Sequence, residues 1–200
     1  VVVTGIGIVS PIGLTVASTW NSLINGRSGI GRIAAFDPTE FETQIAAEIS
    51  NFDPENYMDR KEARRADRFS QLAIAAAEEA VAQAGLRQEE PLGNRTSSLI
   101  ASGVGGIITL SEQFDVLHDK GPKRISPFLI PAMLIDMAAA NVSMKYGARG
   151  PSFATVSACA SGADAIGSGY ELIKRGDIDV AFCGGTEAPI CPIALAGFNS

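Results

Sequence analysis

Two patterns of apolar and polar positions recur along the chain. Short continuous apolar runs are typical of strands buried on both faces, and an apolar residue at every third or fourth position is typical of helices. The runs predict strands at 1–8, 97–104, 152–156 and 178–184, and the helical periodicity predicts helices at 15–25, 66–84, 107–117, 132–145 and 158–175. Strands that alternate with helices predict an α/β fold with a mainly parallel sheet.

Composition narrows the classes of protein to which the chain could belong. Apolar residues make up 46% of it, which is typical of a globular protein with a large core. Its 16 basic and 22 acidic residues give a net charge of −6, which argues against a general nucleic-acid-binding surface. The most apolar region, 125–144, is interrupted by Pro127, Pro131, Asp136 and Asn141, so no membrane span is predicted.

The cysteines and the single histidine argue against a metal centre. Cys159, Cys183 and Cys191 form no CxxC motif, and His118 is the only histidine, so no metal site is predicted. An odd number of cysteines without regular spacing, and no signal peptide, indicate a protein of a reducing compartment.

The opening segment "VVVTGIGIVSPIG" resembles a dinucleotide-binding loop only superficially. Gly5 and Gly7 follow an apolar run, but Ser10 occupies the place of the third glycine and Pro11 follows it. The third glycine of that fingerprint allows close packing between helix and strand. We therefore interpret the segment as a tight turn after a strand, and we expect no nucleotide cofactor.

The stretch "TVSACASGADAIGSGYELIKRG", residues 155–176, places a cysteine where a strand gives way to a helix. If Ser157 is the N-cap, Cys159 is the second helical residue, where backbone N–H groups have no helical partner. The positive end of the helix would favour a thiolate there, and the free amide could donate to an oxyanion formed on a thioester.

The residues alone leave two interpretations of Cys159 open, a reactive nucleophile and an inert core thiol. Gly162, Gly167 and Gly169 each cost a helix about 1 kcal/mol, which predicts that another element passes close to this one. Cys183 and Cys191 lie among apolar residues and are predicted to be inert.

Five segments carry a resemblance to a known family. They are "VVVTGIGIVSPIG", "ASGVGG", "GPKRISPF", "TVSACASG" and "CGGTEA", in that order. Together they resemble the 3-oxoacyl-acyl-carrier-protein synthases of the thiolase-like superfamily, and the synthase II branch in particular. The resemblance runs through nearly the whole chain and favours the reactive interpretation of Cys159.

The resemblance implies a fold and a reaction. The fold would be layered, α-β-α-β-α when complete, with a mainly parallel sheet and a buried helix that carries the nucleophile. Cys159 would accept an acyl chain from acyl-carrier protein as a thioester. Malonyl-carrier protein would then lose CO2, and its carbanion would attack that thioester, elongating the chain by two carbons. No cofactor and no metal are implied.

Further site residues are implied by matching positions. Gly103 and Val104 would line the acyl pocket, Leu129 would line the partner's pocket across a homodimer interface, and Phe198 would lie near the inner wall. The residues that would border the pocket entrance and face the carrier protein are Lys61, Arg64, Arg65, Lys123 and Arg124.

The chain departs from the family in one respect. The family's two decarboxylating histidines, its lysine and its phenylalanine-glycine loop have no counterpart here, and His118 stands in a different context, so it receives no catalytic role. We expect residues 1–200 to be the N-terminal half of a longer enzyme that carries the nucleophile, the C-terminal half not being present in this chain.

Other assignments stay open from the sequence. They are a thiolase acting on coenzyme A thioesters, a polyketide ketosynthase and a non-catalytic acyl-binding homologue. Cys159 argues against the chain-length factors, which lack the nucleophile. The expected location is the cytoplasm, or the plastid stroma if the source is a photosynthetic eukaryote.

Overall fold

A computed structural model describes residues 1–86 and 90–200. Its α-helices are α1 (Val16–Ile24), α2 (Arg60–Ala63), α3 (Arg68–Ala84), α4 (Ile107–Lys120), α5 (Leu129–Met133), α6 (Met137–Tyr146), α7 (Ser161–Lys174) and α8 (Pro192–Asn199). The strands are β1 (Ile30–Arg32), β2 (Ile45–Ala47), β3 (Thr96–Ala101) and β4 (Val180–Gly185). Single 3-10 turns occur at Pro54–Asn56, Pro122–Arg124 and Ala158–Ala160.

The centre of the fold is the parallel pair β3 and β4, with helices on both faces. The register runs from Thr96 opposite Val180 to Ala101 opposite Gly185. Successive side chains of β3 point to opposite faces, so Ile100 joins the core with α3 and α6, whereas Leu99 and Ala101 pack with α7. The parallel pairing and the helical layers confirm the predicted α/β class.

Local chemistry explains where the helices end. Gly85 and Gly147 end α3 and α6 in the left-handed conformation, at φ of 65° and 61°, as their positions in the sequence predict. Asp67 caps α3 and also accepts the Thr109 N–H of α4 at 2.8 Å. This buried carboxylate therefore fixes the starts of two helices.

Two predicted strands are wrong. Residues 1–8 form no strand, because the N–H groups of Ile6 and Ile8 donate to the side chains of Gln83 and Glu79 on α3 rather than to a neighbouring strand. Residues 152–156 contribute only one parallel bridge, between Ser152 and Ser98 of β3. Apolar content made both segments resemble strands, but neither forms a continuous backbone ladder.

Other differences concern short elements. The predicted helix 132–145 is two helices, because Leu134 adopts an extended conformation with ψ of 134° between α5 and α6. The antiparallel pair β1 and β2 and the helices α2 and α8 were not predicted. Within the described residues, no helix has both the length and the apolar character needed to span a bilayer.

Candidate active site

Cys159 lies on an exposed turn directly before α7. It is the middle residue of the 3-10 turn Ala158–Ala160, and Ala158 has a φ of 52°. An alanine in this left-handed region is strained, and such strain persists only where surrounding contacts enforce it. The backbone reversal at Ala158 presents the thiol to solvent rather than to the core.

Ser161 provides those contacts. Its hydroxyl accepts the Ser157 N–H at 2.9 Å and donates to the Ala158 carbonyl at 2.7 Å, so one side chain bridges the strained residue. The Ser161 side chain is itself buried, and the Thr155 hydroxyl donates to its carbonyl at 3.1 Å. We call residues 155–161 the nucleophile turn.

Ser157 stands at the predicted N-cap position, but of a 3-10 turn rather than of α7, and its side chain makes no cap. Ser157 precedes the 3-10 turn, but its hydroxyl donates to the Asp164 carboxylate and caps no helical N–H. Ala160 precedes α7, so Cys159 is the second residue of the 3-10 turn and not of the α-helix.

The backbone of the nucleophile turn leaves an amide available near the thiol. The Ala160 N–H donates to the Ser157 carbonyl at 3.1 Å. Within residues 1–86 and 90–200 the Cys159 N–H has no hydrogen-bond acceptor. A thiol and an unused N–H on one residue can together attack a thioester carbonyl and bind the resulting oxyanion.

The glycines of α7 were predicted to mark a close approach, and two of them do. A Cβ on Gly169 would overlap Cys183 Sγ, well inside 3.0 Å, and a Cβ on Gly162 would lie 3.2 Å from the Gly185 nitrogen. Gly167 differs, since a Cβ there would meet nothing within 4 Å in the described part of the chain. Close packing of α7 on β4 thus explains Gly162 and Gly169 but not Gly167.

The other two cysteines have surroundings typical of inert thiols. Burial raises the pKa of the Cys183 thiol to about 11, so it is protonated at neutral pH. Cys191 is buried at the start of α8. Of the three, Cys159 is exposed, Cys183 is half-buried and Cys191 is buried.

The predicted acyl-pocket residues are only partly brought together. A Cβ on Gly103 would lie 3.7 Å from the Ala158 carbonyl oxygen, so the turn after β3 borders the nucleophile turn. Val104 follows in the same turn with its side chain 43% exposed. Leu129 is half-buried at the start of α5, and Phe198 is 75% exposed on α8, a helix that contacts α4.

The predicted carrier-facing residues lie on an exposed basic rim, comprising Lys61, Arg64, Arg65, Lys123 and Arg124. The first three border, with Phe128, a surface cavity of about 450 Å³. The Arg65 guanidinium lies 4.4 Å from the centre of the Phe128 ring, a cation–π contact. Lys123 and Arg124 are exposed in the turn Pro122–Arg124, just before Ser126, which lines the adjoining cavity.

That adjoining cavity is smaller, about 270 Å³, and is lined by both acidic and basic side chains. Glu112 lies on its wall, where burial and the nearby Asp67 and Asp115 raise its pKa. None of the five cations of the basic rim forms an ion pair within the described residues. Their charge is therefore available to an acidic partner.

Sequence reasoning missed three residues that shape the site. Ser161 and Asp164 hold the nucleophile turn, and Glu187 accepts hydrogen bonds from the turn after β3. The partners of Ser161 and Asp164 are three to seven positions away in sequence, whereas those of Glu187 are 84 and 85 positions away, so no local pattern pairs Glu187 with them. "CGGTEA" pointed to the region of Glu187 but not to its contacts.

Comparisons with known proteins converge on one family. The family model described as "Beta-ketoacyl synthase, N-terminal domain" matches residues 1–200. The chain is 46% identical over 200 residues to a curated 3-oxoacyl-[acyl-carrier-protein] synthase 2 of Staphylococcus aureus, covering 100% of this chain and 48% of that protein. The chain thus spans about half the length of the curated relatives it matches.

Solved structures agree. The ishigamide ketosynthase/chain length factor superposes with a TM-score of 0.86 at 30% identity, covering 99% of this chain and 49% of that one. A ketosynthase structure described as a type II PKS acyl-carrier protein in complex with its ketosynthase bound to the hexaketide superposes with a TM-score of 0.83 at 25% identity. It covers 100% of this chain and 53% of that one.

Proposed function

The chain belongs to the beta-ketoacyl synthase family, and on that premise we propose that it is the N-terminal half of an enzyme that elongates fatty acyl chains by decarboxylating condensation. Its α/β fold is the thiolase-like fold of those ketosynthases. The observation that carries the proposal is the exposed Cys159 on a strained turn with a free backbone N–H.

The first half of the reaction is acyl transfer. Cys159 gives up its proton, and its thiolate attacks the thioester carbonyl of acyl-carrier protein. The new S–acyl bond forms, the C–S bond to the carrier breaks, and the carrier thiolate leaves and takes up the proton that Cys159 released. The Cys159 N–H stabilises the tetrahedral oxyanion. The strained turn fixes the Cys159 sulfur and the Cys159 N–H relative to each other before the substrate arrives. The two groups therefore need not be oriented during the reaction, which lowers its entropic cost.

The second half joins the two chains. Malonyl-carrier protein loses CO2, the carbanion attacks the acyl carbonyl, and the Cys159 sulfur leaves as the carbon–carbon bond forms. We assign the decarboxylating groups to the other half of the enzyme. His118 is exposed in the last turn of α4 and has no role in this scheme.

The proposed partner is acyl-carrier protein, docked on the basic rim. Acyl-carrier proteins are acidic and this chain carries a net charge of −6, so long-range repulsion must be overcome by a local cationic surface. The basic rim, whose five cations form no ion pair within the described residues, supplies such a surface. The carrier-protein complex of the polyketide ketosynthase supports this class of partner.

The remaining assignments complete the proposal. Gly103, Val104 and Phe198 line the acyl pocket, and Leu129 contributes to the partner subunit's pocket in a homodimer. Exposed apolar side chains on α5 and α8, Ile130 at 60% and Ile193 at 55%, are consistent with further interfaces. The enzyme acts in the cytoplasm, or in the stroma of a plastid.

The test is a condensation assay on the full-length synthase. With acyl- and malonyl-carrier protein it should release CO2 and form a 3-oxoacyl product two carbons longer, and Cys159→Ala should abolish that product because an alkyl side chain carries no thioester. Cys191→Ala is the matched control and should retain activity. Turnover of acetyl-coenzyme A without CO2 release would instead indicate a thiolase.

The docking role has a separate test. Lys61→Glu with Arg64→Glu should raise KM for acyl-carrier protein and flatten its dependence on salt, because both charges contribute to encounter. Turnover of a small carrier-free thioester should stay almost unchanged. Equal losses on both substrates would mean that the cations support the fold rather than the partner.

A further inference from the structure

Glu187 is exposed, yet both oxygens of its carboxylate accept hydrogen bonds from a distant turn. It follows the carboxyl end of β4, where the Thr186 N–H donates to the Ala101 carbonyl at 2.9 Å and so continues the pairing with β3. Both carboxylate oxygens then reach across to the turn after β3. Oε1 accepts the Ser102 hydroxyl at 2.8 Å, and Oε2 accepts the Gly103 N–H at 2.6 Å.

The hydrogen bonds that start from Glu187 extend through the whole turn. The Ser102 hydroxyl oxygen also accepts the Gly105 N–H at 2.9 Å, and Ser102 is 2% exposed. One carboxylate thus orders residues 102–105, which we call the β3 turn. Hydrogen bonds to a carboxylate are stronger than those between neutral groups, so this contact holds the turn more firmly than an amide would.

The β3 turn fills a narrow space beside the nucleophile. A Cβ on Gly103 would lie 2.9 Å from Glu187 Oε2 and 3.7 Å from the Ala158 carbonyl oxygen, so Gly103 is sandwiched between the carboxylate and the nucleophile turn. On its other side, a Cβ on Gly105 would lie 2.7 Å from the Met133 carbonyl oxygen of α5. Displacement of this turn therefore changes the space next to Cys159.

We infer that Glu187 is a positioning residue that sets the acyl-chain length admitted at Cys159. This rests on the proposed function, in which Val104 lines the acyl pocket. Glu187 touches no reacting atom. It fixes the β3 turn against Ala158, so that Val104 keeps one position and limits the space for a long chain.

The test measures acylation alone, on the full-length synthase without malonyl-carrier protein. Initial rates of Cys159 acylation by butyryl- and myristoyl-carrier protein are followed by intact-protein mass spectrometry, giving kcat/KM for each. Glu187→Ala should raise the long-to-short ratio about tenfold, because a released turn yields to the longer chain. Glu187→Gln keeps one acceptor oxygen and should shift the ratio less, in the same direction.

Asp179→Asn is the matched control. Asp179 is also an exposed carboxylate with both oxygens engaged, to Arg95 at 2.6 and 2.7 Å, but at the opposite end of β3 and β4. It should leave the ratio unchanged. A general loss of stability would lower both rates together and would not alter their ratio.

The outcomes separate the two proposals. If wild-type Cys159 is acylated and both Glu187 variants keep or lower the wild-type ratio, the inference about Glu187 is wrong and the proposed function stands. If neither thioester acylates wild-type Cys159, the proposed function itself fails, and the inference fails with it.

Discussion

Two cysteines next to α7 stand in opposite settings, one on the turn before the helix and one on the strand packed against it. At the start of α7, Cys159 is exposed on a turn held by hydrogen bonds around Ala158, whose φ is 52°. Against its middle, Cys183 of β4 sits under Gly169 and beside Leu99, where burial raises its pKa to about 11. A strained, exposed turn leaves one thiol accessible, and close packing keeps the other protonated.

Alkylation tests this contrast between Cys159 and Cys183 most strongly, since the two thiols should differ most in their rate of modification. At pH 8, about one Cys183 in a thousand is a thiolate, because its pKa lies about three units higher. Iodoacetamide should therefore modify Cys159 and leave Cys183 almost untouched, as measured by peptide mass spectrometry. Equal labelling of both would mean that burial does not protect Cys183.

The same pKa predicts a loss of stability at high pH. The unfolded chain releases the Cys183 proton near 9.0 and the folded chain near 11, so the unfolded state binds fewer protons between these values. The stability that depends on the protonated thiol is therefore complete below pH 9 and falls as pH rises toward 11. A Cys183→Ala variant should lose this part of the pH dependence in urea unfolding.

A packing test sharpens the contrast. Gly169→Ala should destabilise the protein by about 1–3 kcal/mol, because its Cβ would overlap Cys183 Sγ. Adding Cys183→Ala removes that sulfur and should recover much of the loss. Gly167→Ala, with open space in the described residues, should raise the midpoint of unfolding, and a loss as large as that of Gly169→Ala would refute the packing argument.

The smallest expected effect is at the nucleophile turn. Ser161→Ala removes two hydrogen bonds, but Ser157 and Ala158 are exposed and their freed backbone groups can bind water. We expect about 1 kcal/mol of destabilisation and a several-fold slower alkylation of Cys159. Ser161→Thr keeps the hydroxyl and should restore the alkylation rate. An unchanged alkylation rate in Ser161→Ala would show that Ser161 does not position Cys159.

Sequence patterns predicted those helices and strands whose position depends mainly on their own residues. Apolar periodicity and the stops at Gly85 and Gly147 located α3 and the end of α6, and the apolar runs located β3 and β4. The same reasoning wrongly predicted a strand at residues 1–8. Whether an apolar run forms a strand depends on a neighbouring strand with which it can pair, and not on the run itself.

The site followed the same rule. A cysteine at the start of a helix was readable from residue types, and so was close packing at Gly169. The strain at Ala158 and the grip of Glu187 on Gly103 were not, because each depends on where distant segments meet. Residue types therefore indicated a candidate nucleophile, the family resemblance chose between its two interpretations, and tertiary structure supplied the residues that hold the turn.

The most direct test of the central claim is where the acyl group is held. The full-length synthase is incubated with acyl-carrier-protein thioester, quenched in acid and digested, and the modified peptide is sequenced by mass spectrometry. We predict a single acyl adduct on Cys159, absent in Cys159→Ala and retained in Cys191→Ala. An adduct on Cys183 or Cys191, or persistence of acylation in Cys159→Ala, would contradict the account.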